Sequence, residues 1–183
     1  LLNRELEFLP SEDEILDRKA KNLGLTSPEI AVLMAYSKIV LKRELVASDL
    51  PDDPNVEFAV ESAFPKEIKE LYYQNMQQHR LKREIIATQL SNDIVNTMGI
   101  TYIQRLFDET GASTADIVRA HIIAEDIFDK HSILDQMLRH SNADKIESDV
   151  LMDVLFNYIR LIRRSTRWLL RNHRSGLDIK NHT

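Results

Sequence analysis

The stretch REIIATQLSNDIVNTMG, Arg83 to Gly99, decides how this chain is read. As a helix, at roughly 100° per residue, it sets Gln89, Asn92 and Asn96 on one stripe, with Lys82 and Asp93 beside them. Asn is a poor helix former because its amide competes for backbone hydrogen bonds. A solvated face is better served by Glu and Lys. The stripe is therefore a candidate polar contact, comprising Gln89, Asn92, Asn96 and Asp93, and a water-excluded one is expected. Carboxamides suit that role because they donate and accept without the desolvation cost of a full charge. Three settings remain open: an interhelical network inside the domain, a contact with another part of a longer protein, or plain solvent.

Helix signals continue outward from this segment. Gly99 suits the residue after a helix end, and a long helix is expected from about Met76 to Met98. Towards the N-terminus, Thr26-Ser27-Pro28-Glu29 opens a helix to about Leu45, with Pro at its first position. Its apolar residues surround most of the axis, which predicts a central, buried element with Leu33 in the core. Ser11 with Glu14 forms a capping box ahead of a short charged helix. Ser48 to Asn55 holds a turn region, and Phe64-Pro65 separates two further helices. Towards the C-terminus, a helix from Ile100 is stopped at Gly111. Ser113 with Asp116 opens the next, to about Asp129. A short helix carries Ile133, Leu134, Met137 and Leu138, and a long one runs from about Asp144 to Asn172. No alternating strand is found. The reading is all-α, an irregular bundle of seven to nine helices in one domain over residues 1–183.

With 43% hydrophobic and 29% charged residues, the 183-residue chain has the balance of a globular domain. There is no Cys, which excludes disulfides and thiolate chemistry and is compatible with a reducing compartment. The longest apolar run, Ile30 to Tyr36, is too short to span a bilayer. A cytoplasmic location away from membranes is expected. The chain begins at Leu1 and stops soon after a helix, so it reads as an excised piece of a longer protein.

The four Gly are too scattered for a dinucleotide fingerprint or a P-loop. The six His form no H-x-x-x-H pair, and no E-x-x-H supports a di-iron bundle. No catalytic, cofactor-binding or metal residue is assigned. The net charge of −5 argues against general nucleic-acid binding. It is uneven, because residues 158–183 carry a net of +6. Arg160, Arg164, Arg167, Arg171 and Arg174 share one face of the last helix, opposite Leu151, Val154, Leu155, Tyr158, Ile162, Ser165 and Leu169. That face is a candidate basic contact surface. An acidic protein suits it better than RNA, because no aromatic platform is interleaved. Trp168 is expected in the core.

Several segments together resemble one family. LLNRELEFLPSEDEI (residues 1–15), GLTSPEIAVLMAYSKIVL (24–41), LVASDLPDDP (45–54), HRLKREIIATQLSNDIVNTMGITYIQRLFDETGAS (79–113) and STRWLLRN (165–172) look like the C-terminal helical region of the large bacterial NAD-specific glutamate dehydrogenases. The resemblance implies a parent oxidoreductase of glutamate catabolism, converting L-glutamate to 2-oxoglutarate and ammonium with NAD. Its catalytic and nucleotide-binding domains lie upstream, so none of their residues transfers to a position here. This chain would be a non-catalytic structural, assembly or regulatory part, without a cofactor of its own. Its partners would be the upstream catalytic domain and other subunits of a homo-oligomer. The competing reading is a stand-alone helical adaptor that binds an acidic protein or nucleic acid through the Arg face.

Overall fold

The computed structural model describes residue 7 and residues 9–142, 147–172 and 177–182. Among these described residues the chain forms nine α-helices, two 3-10 turns and a final helical turn, with no strand. The all-α expectation holds. The helices are α1 (Glu12–Ala20), α2 (Ser27–Ala47), α3 (Phe58–Ser62), α4 (Lys66–Gln77), α5 (Lys82–Met98), α6 (Tyr102–Thr110), α7 (Thr114–Ile127), α8 (Lys130–Asn142) and α9 (Ser148–Asn172), followed by the turn α10 (Ile179–His182). The expected start of the last long helix near Asp144 lies outside the described residues.

The ends form where capping chemistry predicts. Ser11 Oγ accepts the Glu14 N–H while Glu14 accepts the Ser11 N–H, which closes a capping box on α1. Ser113 Oγ accepts the Asp116 N–H at the start of α7. Gly111 ends α6 in the left-handed conformation, φ 69° and ψ 10°. Gly99 ends α5 at φ 89° and ψ 166°, a region essentially closed to residues with a Cβ.

Helix α5 is central: Ile86, Ala87, Leu90, Ile94, Val95 and Met98 are buried along it. It packs against α2 and α3 and reaches α9, while α7 packs against α9, α6 and α2. Both α5 and α7 contribute to one continuous core with Leu41, Leu45, Leu50, Val56 and Val60. Arg83 ties α5 to the end of α2. Its Nη2 donates to the Val46 and Ser48 carbonyls at 2.9 and 2.8 Å, and its Nη1 pairs with Asp52. Carbonyls near a helix C-terminus lack intrahelical donors, so one guanidinium satisfies two of them. Arg119 of α7 pairs with Asp49 at 2.7 Å and anchors the same corner.

Two expectations are corrected. The helix expected from Met76 is two helices. His79 Nδ1 accepts the Leu81 N–H at 3.1 Å, a local bond that competes with helix continuation, so Met76 belongs to α4 and α5 begins at Lys82. Helix α2 is also not buried throughout. Among its apolar residues only Leu41 and Leu45 are buried, Leu33 is half-buried, and Ile30 and Ile39 are exposed. The described core covers only its C-terminal half, since an apolar surround does not say how much of a helix has neighbours.

Near the N-terminus of α2 a polar clasp replaces apolar burial. No residue of α1 is buried. Arg18 Nη1 instead donates to both Glu29 oxygens, at 2.9 and 2.7 Å, and Glu29 also accepts the Thr26 N–H at 2.7 Å. The Arg18 hydrogen bond, followed by that backbone N–H, lowers the Glu29 carboxyl to about 2 from its ordinary 4.5.

Two outcomes follow. Leu45, at 0% exposure, should cost about 2–5 kcal/mol on Leu45→Ala in denaturant unfolding, and Leu33→Ala clearly less. Because the Glu29 pKa is depressed on folding, its contribution is complete above about pH 4.5 and is lost as pH falls towards about 2. Stability measured against pH should therefore fall through that window, and Glu29→Gln should remove that component.

Candidate functional site

One face of α5 opens into a cleft of about 710 Å³. Gln89, Asn92, Asp93 and Asn96 all line it, so the stripe read from helical spacing is brought together. Glu125, Asp126, Asp129 and Lys130 line the facing wall, and Phe58, Ile122 and Leu134 add apolar surface. Gln89 and Asn92 are half-buried and Asn96 is exposed. Among the described residues, none of the three carboxamides makes a hydrogen bond.

The facing wall exists because of a sharp joint. Asp129 lies between α7 and α8 at φ 45°, a conformation that Asp tolerates better than most side chains. Its N–H donates to the Asp126 carbonyl at 3.1 Å, and its Oδ1 accepts the Ser132 N–H at 3.2 Å. It thus closes one helix and caps the next. The reversal places Lys130 Nζ 2.6 Å from Asp93 Oδ2 on α5 and 2.7 Å from Glu125 Oε1 on α7. Lys130 and Glu125 are both about 13% and 12% exposed at the side chain. Burial alone would raise the Glu125 carboxyl, but His121 and Lys130 outweigh it and the net shift is downward. Burial would lower the Lys130 ammonium, yet Glu125 and Asp93 hold it above its ordinary value. Both groups are therefore charged, and each is the condition for the other.

Behind this clamp a polar chain enters the core. His121 Nε2 lies 3.2 Å from Glu125 Oε1. His121 Nδ1 lies 3.2 Å from the Tyr102 hydroxyl. Tyr102 donates to Thr166 Oγ1 at 3.0 Å, and Thr166 donates to the Ile162 carbonyl at 2.9 Å. Burial pushes the Tyr102 hydroxyl pKa well upward, so it is a neutral link. Asp93, His121 and Glu125 offer donor atoms within 4.8 Å of one another, a spacing that suits a metal ion. The Lys130 ammonium already stands against two of the three, so a metal would have to displace it.

Helical spacing showed the α5 wall, but the facing wall was missed. The run Glu125-Asp126-Ile127-Phe128-Asp129-Lys130 carried the signal, as did the four-residue spacing of His121 and Glu125. A search for paired His or E-x-x-H does not detect either. The Arg face is only partly assembled. Arg160, Arg164 and Arg171 are exposed, while Arg167 Nε pairs with Glu109 of α6 at 2.9 Å and Arg174 lies outside the described residues. Trp168 corrects the core expectation, at 59% exposure. It sits on the outward side of α9, whose inward side presents Thr166, Leu169 and Leu170.

A model of the family described as "Glutamate dehydrogenase, C-terminal" matches residues 22–183. The chain belongs to the glutamate dehydrogenase C-terminal family. Its relatives include the NAD-specific glutamate dehydrogenases of Halomonas elongata, 47% identical over 98% of this chain, and Pseudomonas aeruginosa, 43% identical over 97%. That of Mycobacterium tuberculosis is 41% identical over 92%. The match covers 11%, 11% and 10% of those proteins, so the chain spans about a tenth of their length. Among the described residues no helix is long and apolar enough to cross a membrane.

Lys130→Met would leave the Glu125 carboxylate without its cation. A loss of about 1–3 kcal/mol in unfolding free energy is expected. Glu125→Gln in that background should restore part of it, and this non-additivity is the signature of the clamp.

Proposed function

We propose that this chain is a non-catalytic helical part of an NAD-dependent glutamate dehydrogenase, serving its assembly or control. The observation that carries the reading is the near-complete match of the chain to a family of C-terminal regions, in relatives named NAD-specific glutamate dehydrogenases. The helical architecture supports it, because a dinucleotide is ordinarily held at the edge of a parallel sheet beside a glycine-rich turn. The reaction, conversion of L-glutamate to 2-oxoglutarate and ammonium with NAD, belongs in this reading to the rest of the enzyme, in a cytoplasmic setting.

The surface supports a docked rather than a free-standing role. Helix α4 exposes Ile68, Leu71, Tyr72 and Tyr73, with Leu71 at 75%. Large contiguous apolar exposure marks contact surfaces. In this reading the α4 face meets the catalytic part of the same enzyme or another subunit of a homo-oligomer. The adaptor reading is weakened because Arg167 of the basic face is engaged with Glu109.

Leu71→Asp separates docking from folding. In the 183-residue chain it should change unfolding free energy by no more than about 0.5 kcal/mol, as for an exposed site. In the full enzyme it should impair assembly or glutamate oxidation, followed by size-exclusion chromatography and NADH absorbance. Titration calorimetry of the chain with NAD should give no binding. Wild-type behaviour of the enzyme variant, or micromolar NAD binding by the chain, would overturn the reading.

A further inference from the structure

The fold leaves one side of α9 exposed from Val150 to Trp168, and the charges beside it change sign from one end of the helix to the other. We propose that α9 pairs antiparallel with α9 of a second copy of this chain. This inference rests on the helix itself and does not depend on the chain serving a dehydrogenase.

Helical spacing draws the seam. Val154, Leu161 and Trp168 are seven residues apart, and Val150 precedes Val154 by four. That spacing keeps side chains on one line of a helix that meets another helix. All four are between 39% and 59% exposed, and the line spans about 27 Å at 1.5 Å per residue. The core takes a different side, through Tyr158, Ile162, Thr166 and Leu169, and no residue from Ser148 to Asn157 is buried. A helix laid on the seam therefore does not collide with the domain's own packing. Contiguous apolar exposure of this kind marks a contact surface, and Trp is a favoured anchor in one.

Charge selects the occupant. On the flank beside the seam, Asp149 and Asp153 stand at the N-terminal end, and Arg160, Arg164 and Arg171 towards the C-terminal end. The helix macrodipole favours that order only within the first and last turns, so it does not account for Asp153, Arg160 or Arg164. Among the described residues, Asp149, Asp153, Arg164 and Arg171 make no ion pair, and all four are exposed. A parallel pair of helices would set acid against acid and Arg against Arg. An antiparallel pair matches them. With the two-fold axis level with Ile159, Val150 lies opposite Trp168 of the second copy, Asp153 beside Arg164 and Asp149 beside Arg171. The two-fold repeats each contact. Arg160 meets its own copy near the axis, where Asn157 Oδ1 accepts from it at 3.2 Å, and that repulsion keeps the pair weak. Both signs are carried by one helix, so a second copy supplies the whole complement.

Sedimentation equilibrium of the 183-residue protein across the micromolar range tests the proposal. The expected result is a reversible monomer–dimer equilibrium. Asp153→Arg and Arg164→Asp, each alone, set like charges together at two places per dimer and should weaken it about tenfold or more. The two substitutions together should bring the affinity back towards that of the wild type, because the pair is restored with its signs exchanged. Thermal unfolding checks that the variants are folded, and if one is not, Asp149→Arg with Arg171→Asp gives the same reading. A protein that stays monomeric up to millimolar concentration would overturn the proposal. So would a dimer that the single variants leave unchanged, or a folded double variant as weak as the singles. Oligomers lost on Leu71→Asp but not on these substitutions would overturn it too, since they place the contact on α4.

Discussion

The sharing of one Lys130 ammonium between Asp93 and Glu125 is the interaction on which the arrangement of α5, α7 and α8 depends. Its three charges are drawn from three helices; Lys130 and Glu125 are largely buried at the edge of the core, while Asp93 is open to water. Such a cluster stabilises only when every member is present, because an unpaired charge of this kind is far costlier than a complete set. Asp129 is held at φ 45° so that Lys130 can arrive from the far side of a tight joint. Behind the clamp, His121 lies 3.2 Å from Glu125, and hydrogen bonds from its other ring nitrogen to Tyr102 and from Tyr102 to Thr166 reach α6 and α9. A network of that depth fixes a single arrangement more firmly than apolar packing alone, and it leaves one side of α5 facing a cleft.

The sequence was most informative where the determining residues are close together along the chain. The capping pairs Ser11 with Glu14 and Ser113 with Asp116, and the glycines at 99 and 111, mark boundaries through local backbone chemistry. The carboxamide stripe was equally legible, since helical spacing alone places Gln89, Asn92 and Asn96 together. What sequence could not supply was the neighbour. The apolar surround of α2 says nothing about which half meets α5, and the Arg167–Glu109 pair joins residues far apart in the chain. His79 broke a continuous helical pattern through one side-chain bond, a competition that periodicity does not register. The facing wall of the cleft required both the joint at Asp129 and the long-range approach of α7 to α5.

The uneven burial of the chain fits the family to which it belongs. A self-sufficient small domain would cover the N-terminal half of α2 and the outer side of α4 better than the described residues do. The chain spans about a tenth of the relatives' length, so neighbouring protein is the natural cover in the reading proposed above. The polar cleft is a separate feature. It combines charged and amide side chains with the apolar side chains of Phe58, Leu90, Ile122 and Leu134.

The central claim is that the clamp holds the cleft open while the carboxamides on its α5 wall stay unengaged. Solvent exchange of their side-chain amide protons, resolved by nuclear magnetic resonance on the unliganded protein, reads this directly. The account predicts that the amides of Gln89, Asn92 and Asn96 exchange nearly as fast as those of free Gln and Asn, while the backbone amides of the buried face of α5 are strongly protected. Strongly slowed exchange of the side-chain amides would contradict it, because it would mean that the stripe is already bonded within the domain.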